Sequence, residues 1–196
     1  MTRAVLLFSF AYIKIIFSQP INMENTAPVK FFAALLFNDQ DVAAQTLPCL
    51  ETVFGPLDFT SSDTPFDVTD YYTPEMGSPL FRRLVSFYPL KLPDFLVEAK
   101  HAGMAIEREF STSEGKRTVN IDAGYMDFDK VVLASTKKGP YKIYMTKGIW
   151  ADMTLHYEKG AFLPFSWSFA DFKDGRYEKA LLRVRELYKK SKSTVR

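Results

Sequence analysis

The apolar positions change period along the chain, and the changes outline the elements. Residues 29–37 read VKFFAALLF, apolar at successive rather than alternate positions. That is the pattern of a strand covered on both faces. Asn38 and Asp39 offer side-chain oxygens to cap a helix over residues 41–54, which Gly55 and Pro56 would end. Pro48 falls inside that stretch and predicts a kink or a late start. Two short strands are expected over residues 57–60 and 66–69, then a turn-rich segment, then a strand over residues 80–88 (LFRRLVSFY). Pro93 suits a first helical turn, and Leu96, Ala99, Gly103, Ile106 and Phe110 recur at the spacing of an amphipathic helix.

From Arg117 the period becomes two. Strands are expected over residues 117–122, 130–136, 141–145 and 150–157, separated by turn residues at Gly139-Pro140, Lys147-Gly148 and Lys159-Gly160. Tyr177, Leu181, Val184 and Tyr188 then mark a last helix. The order predicts a single α+β domain over residues 29–190, followed by a basic tail at 191–196. It is built on one largely antiparallel mixed sheet of about six strands with three main helices. No internal repeat or linker divides it.

Composition agrees with a folded core, since 47% of the 196 residues are apolar and 24% charged. Residues 1–28 are read as an extra N-terminal segment. Its start, MTRAVLLFSFAYIKIIFSQ, has the basic and apolar parts of a signal peptide, but Lys14 interrupts it and no small-x-small cleavage site follows. As a membrane span it falls short of the ~20 apolar residues required. The preferred reading is a misplaced start codon, with translation beginning at Met23, and a cytoplasmic protein without a membrane partner. The single cysteine, Cys49, excludes an internal disulfide and a cysteine zinc site.

Charge is unevenly placed. Residues 173–196 carry nine Lys/Arg against three Asp/Glu, while residues 23–172 carry fourteen against twenty. A basic terminal helix on an acidic body argues against nucleic-acid binding, which calls for clustered Lys/Arg on the body as well.

Three longer blocks stand out: DYYTPEMGSPLFRRLVSF (70–87), VNIDAGYMDFDKVVLASTK (119–137) and GIWADMTLHYEKG (148–160). With VKFFAALLF and FGPLDF, in the same order, they resemble the bacterial and archaeal family called domain of unknown function 4416, from about Val29 to Tyr188. Some members of that family carry the label of GTP-binding proteins. Three positions depart from its pattern. Ala123 stands where the family resembles Pro, Lys142 follows Tyr141 where a His-Arg pair is usual, and SFADF (168–172) replaces a Thr-Tyr-Pro-Asp-Tyr run.

The chain does not write the phosphate-binding loop of an ordinary GTPase. EGKRT (114–118) has a Gly-Lys pair without the upstream glycine, and its flanking strand and helix come in the reverse order. His101 and His156 are the only imidazoles and make no paired zinc spacing, so no metal set and no particular cofactor is indicated. What remains is polar chemistry that turns and strands alone do not require: Asp70, Tyr71, Tyr72 and Glu75 in one block, Asn120, Asp122 and Tyr125 in another, with Lys130 and Asp152 on later strands. Arg82 and Arg83 point to opposite faces of their strand. Arg83 shares its face with Phe81, Val85 and Phe87, so it needs either a structural acid such as Asp70 or Glu75, or an anionic ligand.

These residues point first to binding of an anionic small molecule or nucleotide. A second reading is metal-assisted or acid/base hydrolase-type chemistry by Asp122 and Asp152, which requires the two carboxylates to converge. A third is a protein-interaction or assembly module.

Overall fold

A computed structural model describes residues 26–194. The readings of residues 1–22 and of a start at Met23 lie outside them. Strand β1 (Val29–Phe37) is buried at all nine positions, as its unbroken apolar run requires. Helix α1 (Gln40–Phe54) follows, and Asp39 Oδ1 accepts from the backbone N–H groups of Asp41 and Val42 at its start. Pro48 is accommodated within it. Next come β2 (Leu57–Thr60), β3 (Thr64–Pro65), the single-turn α2 (Thr73–Met76) and the long β4 (Phe81–Lys91). A short 3-10 turn (Pro93–Phe95) leads into α3 (Leu96–Glu109). The second half of the chain forms β5 (Val119–Met126), β6 (Lys130–Ser135), β7 (Lys142–Thr146), β8 (Ile149–Glu158) and β9 (Ala161–Pro164). The short α4 (Ala170–Lys173) and α5 (Glu178–Thr194) complete it.

The nine strands of the described residues join one open antiparallel sheet in the order β2-β4-β1-β5-β6-β8-β7, with β3 also on β4 and β9 also on β8. The α+β class and the three main helices agree with the sequence. The strand number does not, because β3 and β9 are two and four residues long. Segments that short display no alternation, and β3 ends on a proline. The strand expected over residues 66–69 is absent, and the paired residues come just before it.

Each face of the sheet has its own core. Phe31, Ala33, Leu35 and Phe37 of β1 pack with Val85 and Phe87 under α1 and α3. Phe32 and Ala34 lie on the opposite face with Leu84, Met126, Val131, Leu133 and Leu155, covered by Tyr177 and by Leu181 and Val184 of α5. Each large side chain buried in this way contributes about 1.5–3 kcal/mol of transfer free energy. Among the described residues no helix is long and apolar enough to cross a membrane.

One feature of the register positions the site. β5 pairs with β1 along its whole length, but with β6 only through Gly124–Leu133, Tyr125–Val132 and Met126–Val131. Residues 119–123 of β5 therefore diverge from β6, and the sheet opens at that end.

Candidate ligand site

The opening between β5 and β6 is held by α3. Ile121 would present its backbone groups to a neighbouring strand. Instead its N–H donates to Glu107 Oε1 at 2.6 Å, and its carbonyl accepts from Lys100 Nζ at 2.8 Å. Between these two residues on the helix surface, Gly103 lies against Ile121. A Cβ there would come within 3.3 Å of the Ile121 side chain. The glycine lets α3 approach closely enough for Lys100 and Glu107 to take the place of a strand. Both side chains are buried, and burying charge is costly unless it is paired and hydrogen-bonded. Burial raises the Glu107 carboxyl above its usual range against the pull of Lys100.

A cavity of about 470 Å³ occupies the opening. Its floor is a charged network. Arg82, 3% exposed, donates from Nη1 to Asp122 Oδ2 at 2.7 Å and lies 3.4 Å from Asp171 through Nη2. Its guanidinium also covers the Phe66 ring at 5.1 Å. Burial disfavours the Arg82 cation, but Asp122 and Asp171 outweigh that and raise its pKa. Burial acts on Asp122 in the opposite sense to Arg82 and Lys100, and the two cations prevail, holding the carboxyl below its usual range. Burial raises Asp171, which also accepts from the Tyr177 hydroxyl at 3.1 Å. Arg82 Nε is buried without a hydrogen-bond partner among the described residues.

Asn120 extends the network, donating to Asp122 at 3.1 Å and accepting from Arg117 at 2.6 Å. Arg117 is clamped by both oxygens of Glu75, at 2.8 and 2.6 Å, and lies 5.8 Å over the Tyr72 ring. This partner holds the Glu75 carboxyl below its usual range. The Tyr72 hydroxyl is pushed up to about 12, mainly by burial and then by Asp122.

The remaining walls differ in character. Phe66, Tyr71 and Tyr72, from the segment between β3 and β4, supply rings, with Phe169 from the start of α4. Tyr71 meets Tyr72 edge-on at 5.0 Å. The end of β6, the turn after it and β7 supply Ser135, Thr136, Lys137 and Lys142. Lys142 donates to Ser135 at 2.9 Å and lies 3.2 Å from Asp152. Lys137 reaches across the mouth to donate to the Tyr71 hydroxyl at 3.1 Å.

Of the residues singled out from sequence, Tyr71, Tyr72, Arg82, Asn120 and Asp122 line this cavity. Glu75 and Asp152 stand behind it, holding Arg117 and Lys142. Asp70, Arg83, Tyr125 and Lys130 are placed elsewhere. The Asp70 carbonyl accepts from Thr73 N–H in an exposed turn. Arg83 is bonded to Asp63 and Gln40, and neither Asp70 nor Glu75 is its partner. Tyr125 packs on Phe31 on the opposite sheet face, and Lys130 pairs with Asp127.

Asp122 and Asp152 share a sheet face, but two strand spacings and one residue pair separate them along the register. At ~4.8 Å per strand and ~3.4 Å per residue this is about 12 Å between Cα atoms. Each is paired with its own cation. Among the described residues no three His, Cys, Asp or Glu side chains gather as they would around a metal ion.

The sequence reading left out Lys100, Glu107, Arg117, Lys142 and Asp171 from its site residues. For two of them a signal was available: Lys100, Gly103 and Glu107 recur at helical spacing alongside the apolar stripe of α3.

Comparisons with curated proteins and with solved structures gave no match. A family model does match, over residues 27–188. That span takes in every strand, the cavity and most of α5, and the chain accordingly belongs to the family described as domain of unknown function (DUF4416).

Proposed function

We propose that the protein binds an anionic small molecule in the cavity between β5 and β6. The observation that carries this reading is the opening itself. Two buried, oppositely charged side chains of α3 satisfy one β5 residue where strand pairing would do so more simply. A volume of about 470 Å³ lies within the ~300–1,000 Å³ common for small-molecule sites. The sign of the ligand follows from the lining: Arg82, Lys100, Arg117 and Lys142 are each paired with carboxylates in or behind the wall, whereas Lys137 has no carboxylate partner among the described residues. This cation stands at the cavity mouth of a body that is acidic overall. The unpartnered Arg82 Nε adds a buried donor at the same place.

A thermal-shift screen of the full chain against nucleotides and phosphorylated metabolites, with and without magnesium, tests the reading. A ligand that binds only the folded state at about 100 times its Kd stabilises it by ~2.7 kcal/mol, a rise in Tm of several degrees for a domain of this size. Absence of any shift across the panel refutes the proposal.

A further inference from the structure

The two walls of the cavity mouth call for two different parts of one ligand. On one side stand Tyr71, Tyr72 and Phe66. Tyr71 is 62% exposed, so its ring retains free area for stacking. On the other side Ser135, Thr136, Lys137 and Lys142 bring two hydroxyls and two ammonium groups to the end of β6. Hydroxyl and lysine donors together are phosphate-binding chemistry, with lysine acting as a point charge.

The contact between the walls points the same way. Lys137 Nζ donates to the Tyr71 hydroxyl at 3.1 Å and lies 4.8 Å from the centre of its ring. Across the mouth, the lysine is bonded to an oxygen and the tyrosine ring is approached by a cation. A ligand with a phosphate and a planar ring can replace both halves of that contact, the phosphate taking the hydroxyl's place on Lys137 and the ring lying against Tyr71.

The number of charges is limited as well. Lys142 is shared with Asp152, and Glu107, Asp122 and Asp171 stand in the lining beyond. With Lys142 already paired to Asp152, Lys137 is the cation left to a ligand, so this wall matches one phosphate, whereas a chain of phosphates would meet carboxylates. Resting on the anion-binding reading above, we infer that the ligand is a planar heteroaromatic ring joined to a single phosphate, the chemistry of a nucleoside monophosphate. The ring lies at Tyr71 and Tyr72 and the phosphate at Lys137 and Lys142.

Titration calorimetry of the full chain tests this with four nucleoside monophosphates, their free nucleosides, ribose 5-phosphate, inorganic phosphate and magnesium triphosphates. At least one monophosphate is expected to bind ten-fold or more tightly than its nucleoside, ribose 5-phosphate and its own triphosphate. Lys137→Ala, at an exposed position, should weaken the monophosphate about ten-fold and leave the nucleoside unchanged. Tyr71→Ala should weaken both and leave ribose 5-phosphate unchanged. The inference is overturned if a triphosphate binds more tightly than the monophosphate, if ribose 5-phosphate matches it, or if neither substitution separates ring from phosphate. It also falls, while anion binding stands, if only ring-free phosphorylated metabolites stabilise the protein. If no anion binds, both readings fall together.

Discussion

Arg83→Met separates a structural arginine from a ligand-binding one. Arg83 lies on the α1 side of β4, opposite Leu35 of β1, with its side chain 14% exposed. Its Nε and Nη2 grip Asp63 at 2.6 and 2.9 Å, Nη2 also donates to Gln40 at 2.7 Å, and the guanidinium covers the Phe37 ring at 5.0 Å. Methionine retains the aliphatic stem and most of the packing, so the loss is chiefly the stranded carboxylate. Removing one partner of a fully buried pair costs about 3–5 kcal/mol. Asp63, at 22% side-chain exposure, keeps some access to water, which brings the expected loss to about 2–3 kcal/mol.

With a urea slope of ~2 kcal/mol per M, the midpoint should fall by about 1–1.5 M at unchanged slope. The bond to Arg83 holds the Asp63 carboxyl below its usual range. A depressed acid pKa stabilises the fold above the unfolded value of ~3.9, and that contribution is lost as pH falls through the folded value. The difference between wild type and variant should therefore be full at pH 7 and shrink below about pH 4. Adding Asp63→Asn should restore part of the loss. An unchanged midpoint, a difference independent of pH, or loss of anion binding in a normally stable variant would each refute a structural role.

Three further outcomes follow from the site. Gly124→Ala places a Cβ 2.7 Å from the Val132 carbonyl oxygen and the Leu133 side chain, where β5 and β6 begin to pair. It should cost about 1–3 kcal/mol in urea unfolding, more than alanine usually costs in a strand. Arg82→Met leaves Asp122 and Asp171 without their shared cation and should cost about 3–5 kcal/mol, partly recovered by Asp122→Asn; a neutral result would refute the floor network. Glu75→Gln should weaken the fold at neutral pH and converge with wild type below the unfolded carboxyl value of ~4.3, because Arg117 holds the native pKa down; thermal unfolding across pH 3–7 reads this, and parallel curves would contradict it.

Much of the fold was legible because its periods are strong. The unbroken apolar run of residues 29–37 required cover on both faces, and β1 has it. The alternation after Arg117 became antiparallel strands, although β5 runs on through Gly124 to Met126 and β6 pairs with β8 and not with β7. The extra strands were not legible, since β3 and β9 owe their existence to the edges of β4 and β8 and not to a pattern of their own.

The site was legible only in part, and the arginine pair shows why. Strand parity correctly put Arg82 and Arg83 on opposite faces and Arg83 beside Phe81, Val85 and Phe87. Parity says which way a side chain leaves the strand, but not what meets it. Arg83 is met by Asp63, from the short link between β2 and β3, whereas Arg82 meets acids from β5 and α4, 40 and 89 residues away. The opening between β5 and β6 is likewise invisible to local pattern, because residues 119–123 alternate as any paired strand does. What keeps them from pairing is a lysine and a glutamate seven residues apart on α3, with a glycine between them. Charged residues beside a glycine on the buried side of a helix are therefore as informative here as the conspicuous acids, since folding alone would favour apolar residues at both positions.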